Sequence, residues 1–317
     1  DIREFVAGGD ATAQPVASII VLHGLGADGN DFVPIAQELD LSAVGPVRFV
    51  FPSAPVRPVS INGGFQMRAW YDIHPPEPNG QRREDEPGLR HSQALVQALL
   101  DREAERGVPS GRTVLMGFSQ GCAMSLLTGL RAPQRLAGIV GLSGYLPLAE
   151  TTASERSEAN RRTPLFLAHG EQDEMVAIER GLATRDLLQA LDQPVEWQAY
   201  PMAHSVCAQE VADSSTAWPR PPSGWTGPRA SSASWPAPRP PPASSRKPRC
   251  CASCWAATPA CTWWTRATRC CPSTRTNWPC SPAVLLIDAK AALGRVVQGP
   301  PHQTVDHDDV DAHHGHP

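Results

Sequence analysis

Between Asp1 and Asp213 the chain has no lysine and only two cysteines, Cys122 and Cys207. The 17 arginines of this stretch face 27 aspartates and glutamates, a net charge of −10, against −4 for all 317 residues. Nucleic acid and anionic lipid surfaces select cationic partners, so neither suits a body this acidic. Two cysteines exclude a disulfide framework. No apolar run approaches the roughly 20 residues of a bilayer-crossing helix. The opening DIREFVAGGD lacks the basic-then-apolar order of a secretory signal. It also lacks an initiating Met, so a start upstream of Asp1 is the expectation. A cytoplasmic protein without stable membrane insertion is the expectation.

A second absence divides the chain. From Ser214 to Ala283 there is no Leu, Ile, Val, Met, Phe or Tyr, and no Asp or Glu. Fourteen of the 33 prolines fall there, with seven of the nine cysteines and seven of the nine tryptophans. Without aliphatic side chains such a segment builds no core to offset chain entropy, and it is expected to be unstructured. CCASCWAATPAC (250–261) contains a Cys-x-x-Cys that would begin a zinc site, but no second pair follows at ribbon or finger spacing. A shifted reading frame explains the composition better. In a GC-rich gene, Leu and Val codons ending in TG, read one base late, become Trp or Cys, and Ala codons become Pro or Arg. The frame is therefore expected to change near Asp213. Residues 284–317 end in HQTVDHDDVDAHHGHP, read as a solvated, disordered tail rather than a metal site.

In residues 1–213, short apolar runs alternate with helical patterns, the mark of a mostly parallel sheet flanked by helices. SIIVLHG (18–24), VRFVFPS (47–53), TVLMGFS (113–119), LAGIVGLSG (136–144), PLFLAHG (164–170) and VEWQAY (195–200) are the strand candidates. Several are apolar throughout, as strands covered on both faces are. Helical spacing appears in 31–39, 89–107, 121–131 and 178–191, and Gly107 supplies a stop to the second. The expected fold is α/β, doubly wound, in one domain.

MGFSQGCAMS (116–125) sets Ser119 between two glycines, after a buried strand and before a helix. That context fits a sharp turn that lifts the hydroxyl above the sheet's carboxyl edge, close to a helix amino terminus. A tight Gly-Ser turn without chemistry is the alternative. A serine nucleophile needs a base, and the base needs an acid to orient it, in the chain order Ser, acid, His. Asp173 follows one strand and His204 another, so both order and loop placement fit. Glu171 and Glu174 border Asp173 and could stand in its place. His169, at a strand end, reads as packed or locally hydrogen-bonded, and His74 and His91 read as solvated. Oxyanion donors are expected from the N–H of Gln120, directly after the nucleophile, and of Leu25 in the loop HGLGADGNDF (23–32). An ordinary Gly-rich turn is the competing reading of that loop.

VLHGLGADGNDFVPIAQEL, FPSAPVRPVSINGGFQMRAWYDI, EDEPGLRHS, MGFSQGCAMSL, GIVGLSGYLPL and HGEQDEMV occur in this order over nearly all of residues 1–213. Together they resemble the bacterial carboxylesterase and acyl-protein thioesterase family of α/β-hydrolases, also described as phospholipase/carboxylesterase. The resemblance implies a Ser119–His204–Asp173 triad with oxyanion donors at Leu25 and Gln120, and no metal or cofactor. It also implies that the loop 62–73 flanks the acyl site, with Phe65 and Met67 on the acyl chain and Trp70 either there or in the core. The expected activity is hydrolysis of short- to medium-chain carboxylic esters, with acyl-protein thioesterase and lysophospholipase as rivals. From a different class, the rivals are an inactive frameshifted product and a non-catalytic binding scaffold. The partner implied is a small-molecule ester or thioester, and a homodimer is left open. The family continues past the histidine into a closing amphipathic helix, which VCAQEVAD (206–213) begins before its apolar stripe stops.

Overall fold

The computed structural model describes residues 1–8, 13–39, 41, 44–80 and 82–214. The Cys-x-x-Cys run, the His/Asp-rich tail and, beyond Ser214, the segment expected to be frameshifted lie outside the described residues.

In chain order the elements are β1 (Ile2–Ala7), β2 (Ala17–Leu22), α1 (Ile35–Glu38), β3 (Val47–Pro52), β4 (Val56–Val59), β5 (Phe65–Arg68), α2 (Glu86–Glu105), β6 (Thr113–Phe118), α3 (Gln120–Arg131), β7 (Gly138–Leu142), α4 (Ala149–Glu155), β8 (Leu165–Gly170), α5 (Ile178–Ala190), β9 (Val195–Tyr200) and α6 (Ala208–Asp213). Seven strands form one sheet in the order β1-β3-β2-β6-β7-β8-β9, and β4 and β5 form a separate hairpin. All neighbours in the large sheet run parallel except β1, which is antiparallel to β3. The fold is that of an α/β-hydrolase.

Every residue of β2, β3, β6, β7 and β8 is buried, because helices cover both faces of the sheet. Leu89 and Val96 of α2, Leu126 and Leu130 of α3 and Leu188 of α5 pack into one core cluster. Ile35 and Ala36 of α1 and Val211 of α6 belong to the other, with Phe49, Phe118 and Phe166. Helix α3 is buried from Gln120 to Leu130, as expected of a helix apolar on almost every side.

All six expected strands are present, but some expected boundaries shift. Only Ile35–Glu38 of the expected 31–39 helix is helical. Pro34 stands at its N-cap, and the N–H groups of Asp31 and Val33 close tighter turns onto Asp28 and Asn30; proline offers no N–H to a longer ladder. Helix α2 starts at Glu86 rather than Leu89, because the Asp85 carboxylate accepts the Gly88 N–H (3.0 Å) and caps it. His91 is exposed as expected, whereas His74 is half-buried with Nδ1 3.4 Å from Asp72 Oδ2.

Candidate active site

Ser119 is the residue between β6 and α3, and its backbone takes φ 56°, ψ −117°. A positive φ is strained for a residue with a side chain and persists only where its surroundings enforce it. Here they do. The Ser119 N–H donates to Leu142 O on β7 (2.9 Å), and its carbonyl accepts from Ala123 N–H (3.2 Å). The flanking glycines permit the close approach: a Cβ on Gly117 would stand 2.1 Å from Gly121 O. The serine hydroxyl makes no capping bond to its own helix, so it is left to face the loops beyond the sheet.

Two of those loops are drawn together at the ends of β8 and β9. The Glu171 N–H donates to Tyr200 O (2.8 Å) and the Gln172 N–H to Met202 O (3.0 Å). Gly170 makes room, since a Cβ there would lie 2.4 Å from both Met202 O and Ala203 O. This stitching brings Asp173 beside His204, whose Nδ1 lies 2.7 Å from Asp173 Oδ2. The other ring nitrogen, Nε2, lies 3.0 Å from Ser119 Oγ. Phe118 packs against the ring at 4.6 Å between centroids.

Asp173 is buried, while Glu171 and Glu174 are exposed, so the ring meets Asp173 and not its neighbours. Burial by itself would raise the Asp173 carboxyl. Hydrogen bonds from His169 and His204 outweigh it and hold the group well below the usual carboxylate range. The N–H groups of Met175 (2.9 Å) and Val176 (2.8 Å) satisfy Oδ1. His169 Nε2–H donates to Val176 O (2.7 Å) and lies 3.4 Å from Asp173 Oδ2. Its local bonding was expected; its reach to the acid was not.

The loop after β2 passes close to the serine. A Cβ on Gly24 would stand 3.3 Å from the Ser119 Cβ. Among the described residues neither the Leu25 nor the Gln120 N–H donates to a backbone carbonyl; the second belongs to the unpaired first turn of α3. Gln120 directly follows Ser119 at the amino end of α3, where the helix ends in partial positive charge, and Leu25 directly follows Gly24.

A profile of the phospholipase/carboxylesterase family matches residues 4–217. The chain belongs to this family. It is an enzyme, a carboxylic ester hydrolase. Acyl-protein thioesterase 1 of Yarrowia lipolytica is 39% identical over 207 residues, covering 64% of this chain and 91% of that protein. Among solved structures, SOBER1 of Arabidopsis thaliana is 33% identical with a TM-score of 0.58, covering 62% of this chain and 93% of its own. Acyl-protein thioesterase 2 of Zea mays is 30% identical with a TM-score of 0.55, over 66% and 94% of the two chains.

In this hydrolase the β4–β5 hairpin carries Phe65, half of whose surface is exposed (50%), and Met67, half-buried, whose Sδ would lie 4.0 Å from a Cβ on Gly26. Trp70 is enclosed in the core instead. Its Nε1–H donates to His23 O (2.9 Å) and its backbone N–H to Gln120 Oε1 (2.9 Å). Gln120 Nε2 donates in turn to Tyr71 O (2.8 Å). Sequence reasoning did not single out His23 or the Gln120 side chain. Their roles are contacts between distant loops, and the one local signal was a His-Gly pair ahead of the glycine-rich turn. Among the described residues no helix is long and apolar enough to cross a membrane.

Proposed function

We propose that this hydrolase cleaves short- to medium-chain carboxylic esters through an acyl-enzyme on Ser119. The observation that carries the reading is the chain of contacts from Ser119 Oγ to His204 Nε2 (3.0 Å) and from His204 Nδ1 to Asp173 Oδ2 (2.7 Å). As Oγ attacks the ester carbonyl, its proton passes to Nε2, and the electron pair of the carbonyl collects on the oxygen. The N–H groups of Leu25 and Gln120 receive that oxyanion. Collapse expels the alkoxide, which takes the proton from Nε2 and leaves as alcohol. Water then repeats the sequence on the acyl-enzyme and releases the acid. Asp173 keeps the imidazole in one tautomer and faces the cation that forms. We assign the acyl chain to Phe65 and Met67.

Replacing Ser119 with Ala is expected to lower kcat by a factor on the order of 10⁶. An ester-hydrolysis rate unchanged in that variant rejects the assignment. The 39% identity to an acyl-protein thioesterase favours a second reading, in which the acyl group arrives as a thioester. Rates on matched ester, thioester and lysolipid series separate these substrates. For residues 214–283 we hold to a shifted frame, natural or from sequencing; resequencing the gene tests it, and an intact frame through Asp213, confirmed by peptide mass, overturns it.

A further inference from the structure

His23 stands immediately before the turn that bears the Leu25 N–H, and the mechanism above gives it no task. Its ring is buried and both nitrogens are committed. The Ala54 N–H donates to Nε2 (2.9 Å), so the proton sits on Nδ1, which donates to the Gly24 carbonyl (2.7 Å). Burial lowers the ring's pKa, outweighing the upward pull of the Gly24 carbonyl, Asp31 and Asp28, which keeps this one neutral tautomer in place.

The Gly24 carbonyl and the Leu25 N–H belong to the same peptide unit. Such a unit is planar and trans, so its N–H points opposite to its C=O. Anchoring the carbonyl therefore aims the amide. The same peptide lies against the nucleophile, as the close approach of Gly24 to the Ser119 Cβ requires. His23 is itself held from the other side, because its carbonyl accepts from Trp70 Nε1 while the Trp70 N–H reaches Gln120 Oε1. The loop of Leu25 and the first residue of α3 are thus joined through Trp70 and His23.

We propose that His23 is a positioning residue for the oxyanion hole: its Nδ1–H holds the Gly24 carbonyl and thereby orients the Leu25 N–H toward the carbonyl oxygen of the bound ester. The proposal rests on Ser119 being the nucleophile.

The experiment compares His23→Leu, which keeps bulk without a donor, with His23→Asn, which keeps an N–H where Nδ1 stands. His23→Leu is expected to lower kcat by about 10- to 100-fold, less than the roughly 10²–10³ that follows deletion of an oxyanion donor itself. KM for the same ester should stay within about twofold, because the interaction strengthens only as charge develops. His23→Asn should recover most of kcat. A boronic acid, which forms a charged tetrahedral adduct on serine, should lose affinity for His23→Leu in step with kcat. Where His23→Leu does not fold, His23→Ala replaces it, smaller and equally without a side-chain donor.

A donorless variant with wild-type kcat, a kcat loss that His23→Asn shares in full, or a rise in KM alone overturns the proposal. Ser119→Ala, assayed alongside, separates the two readings. If it still hydrolyses ester, the serine reading falls and His23's role with it. If it is dead while His23→Leu runs at the wild-type rate, only the role of His23 falls.

Discussion

A Cβ placed on Gly121 would stand 2.0 Å from the carbonyl oxygen of Leu22. Helix α3 therefore rests directly on the carboxyl end of β2, backbone against backbone. No rotamer relieves such a contact, so Gly121→Ala must push the helix away from the sheet. We expect a loss of about 3 kcal/mol or more, at the upper end of overpacking costs, read by urea unfolding. Gly111 is the control, since the nearest atom to a Cβ there is 3.9 Å away. Gly111→Ala should cost nothing measurable. Equal stability for the two variants would contradict this account of the turn.

Asp173→Asn should leave the fold intact and lower kcat by about 10⁴, the scale on which losing the orienting carboxylate acts in other triads. His169 and His204 hold the Asp173 carboxyl well below its ordinary value of 3.8. It stays ionised throughout the neutral range, so it should add no inflection to kcat/KM between pH 5 and 9. Its contribution to stability has the sign of a depressed carboxyl: present above about pH 3.8, and fading as the pH falls further. A wild-type rate inflection that vanishes in Asp173→Asn alone would show that the carboxylate titrates in the working range.

Glu210 on α6 should act in the opposite direction. It is fully buried, and among the described residues no side chain is seen to hydrogen-bond its carboxylate. Burial pushes it from 4.5 up to about 8, with the Cys207 backbone pulling the other way. Between those two values the unfolded chain releases a proton that the folded chain keeps, so stability falls as pH rises. Glu210→Gln removes that term. Its melting temperature should exceed wild type at pH 9 and match it near pH 4; a constant difference across this range would refute the reading.

Glu103 ties together the opposite end of the sheet. Its Oε2 accepts from Arg48 (2.9 Å) and from the Ser18 hydroxyl, and its Oε1 accepts from Arg106 (2.9 Å). Glu103→Ala leaves Arg48 charged and almost wholly enclosed, a change worth about 3–5 kcal/mol of stability. Ser18 and Arg48 lie near the amino ends of β2 and β3, away from the carboxyl ends that open on Ser119. Denaturant midpoints should therefore drop while kcat per folded molecule is unchanged. A parallel fall in kcat would mean that the two ends of the sheet are coupled.

What could be read along the chain and what could not divide on physical grounds. The strands β2, β3, β6, β7 and β8 are buried on both faces, so each appears as an unbroken apolar run. Strand β1 escaped notice because, among the described residues, it lies at the sheet edge and pairs only with β3, and it carries exposed residues in its first half. The β4–β5 hairpin escaped for a similar reason: VRPV presents no clear apolar face, with Val56 and Pro58 exposed, and contains a proline. Two histidines illustrate the limit at the site. His23 and His169 each precede a glycine at the end of a strand, and nothing local says that one anchors the loop of Leu25 while the other reaches Asp173.

From the amino-acid order alone came the class of fold, the turn at Ser119 and the sequence Ser, acid, His. Apolar periodicity and the steric demands of glycine act over a few residues, so they are written locally. The meeting of Ser119, His204 and Asp173 was decided by the tertiary structure. His204 is 85 positions from the serine and 31 from the acid, and no short-range force spans such gaps. It is the parallel order β6-β7-β8-β9 that opens their carboxyl ends on one edge. Contacts among the loops there then select Asp173 over its exposed neighbours and set the buried histidines at 23 and 169 in their places.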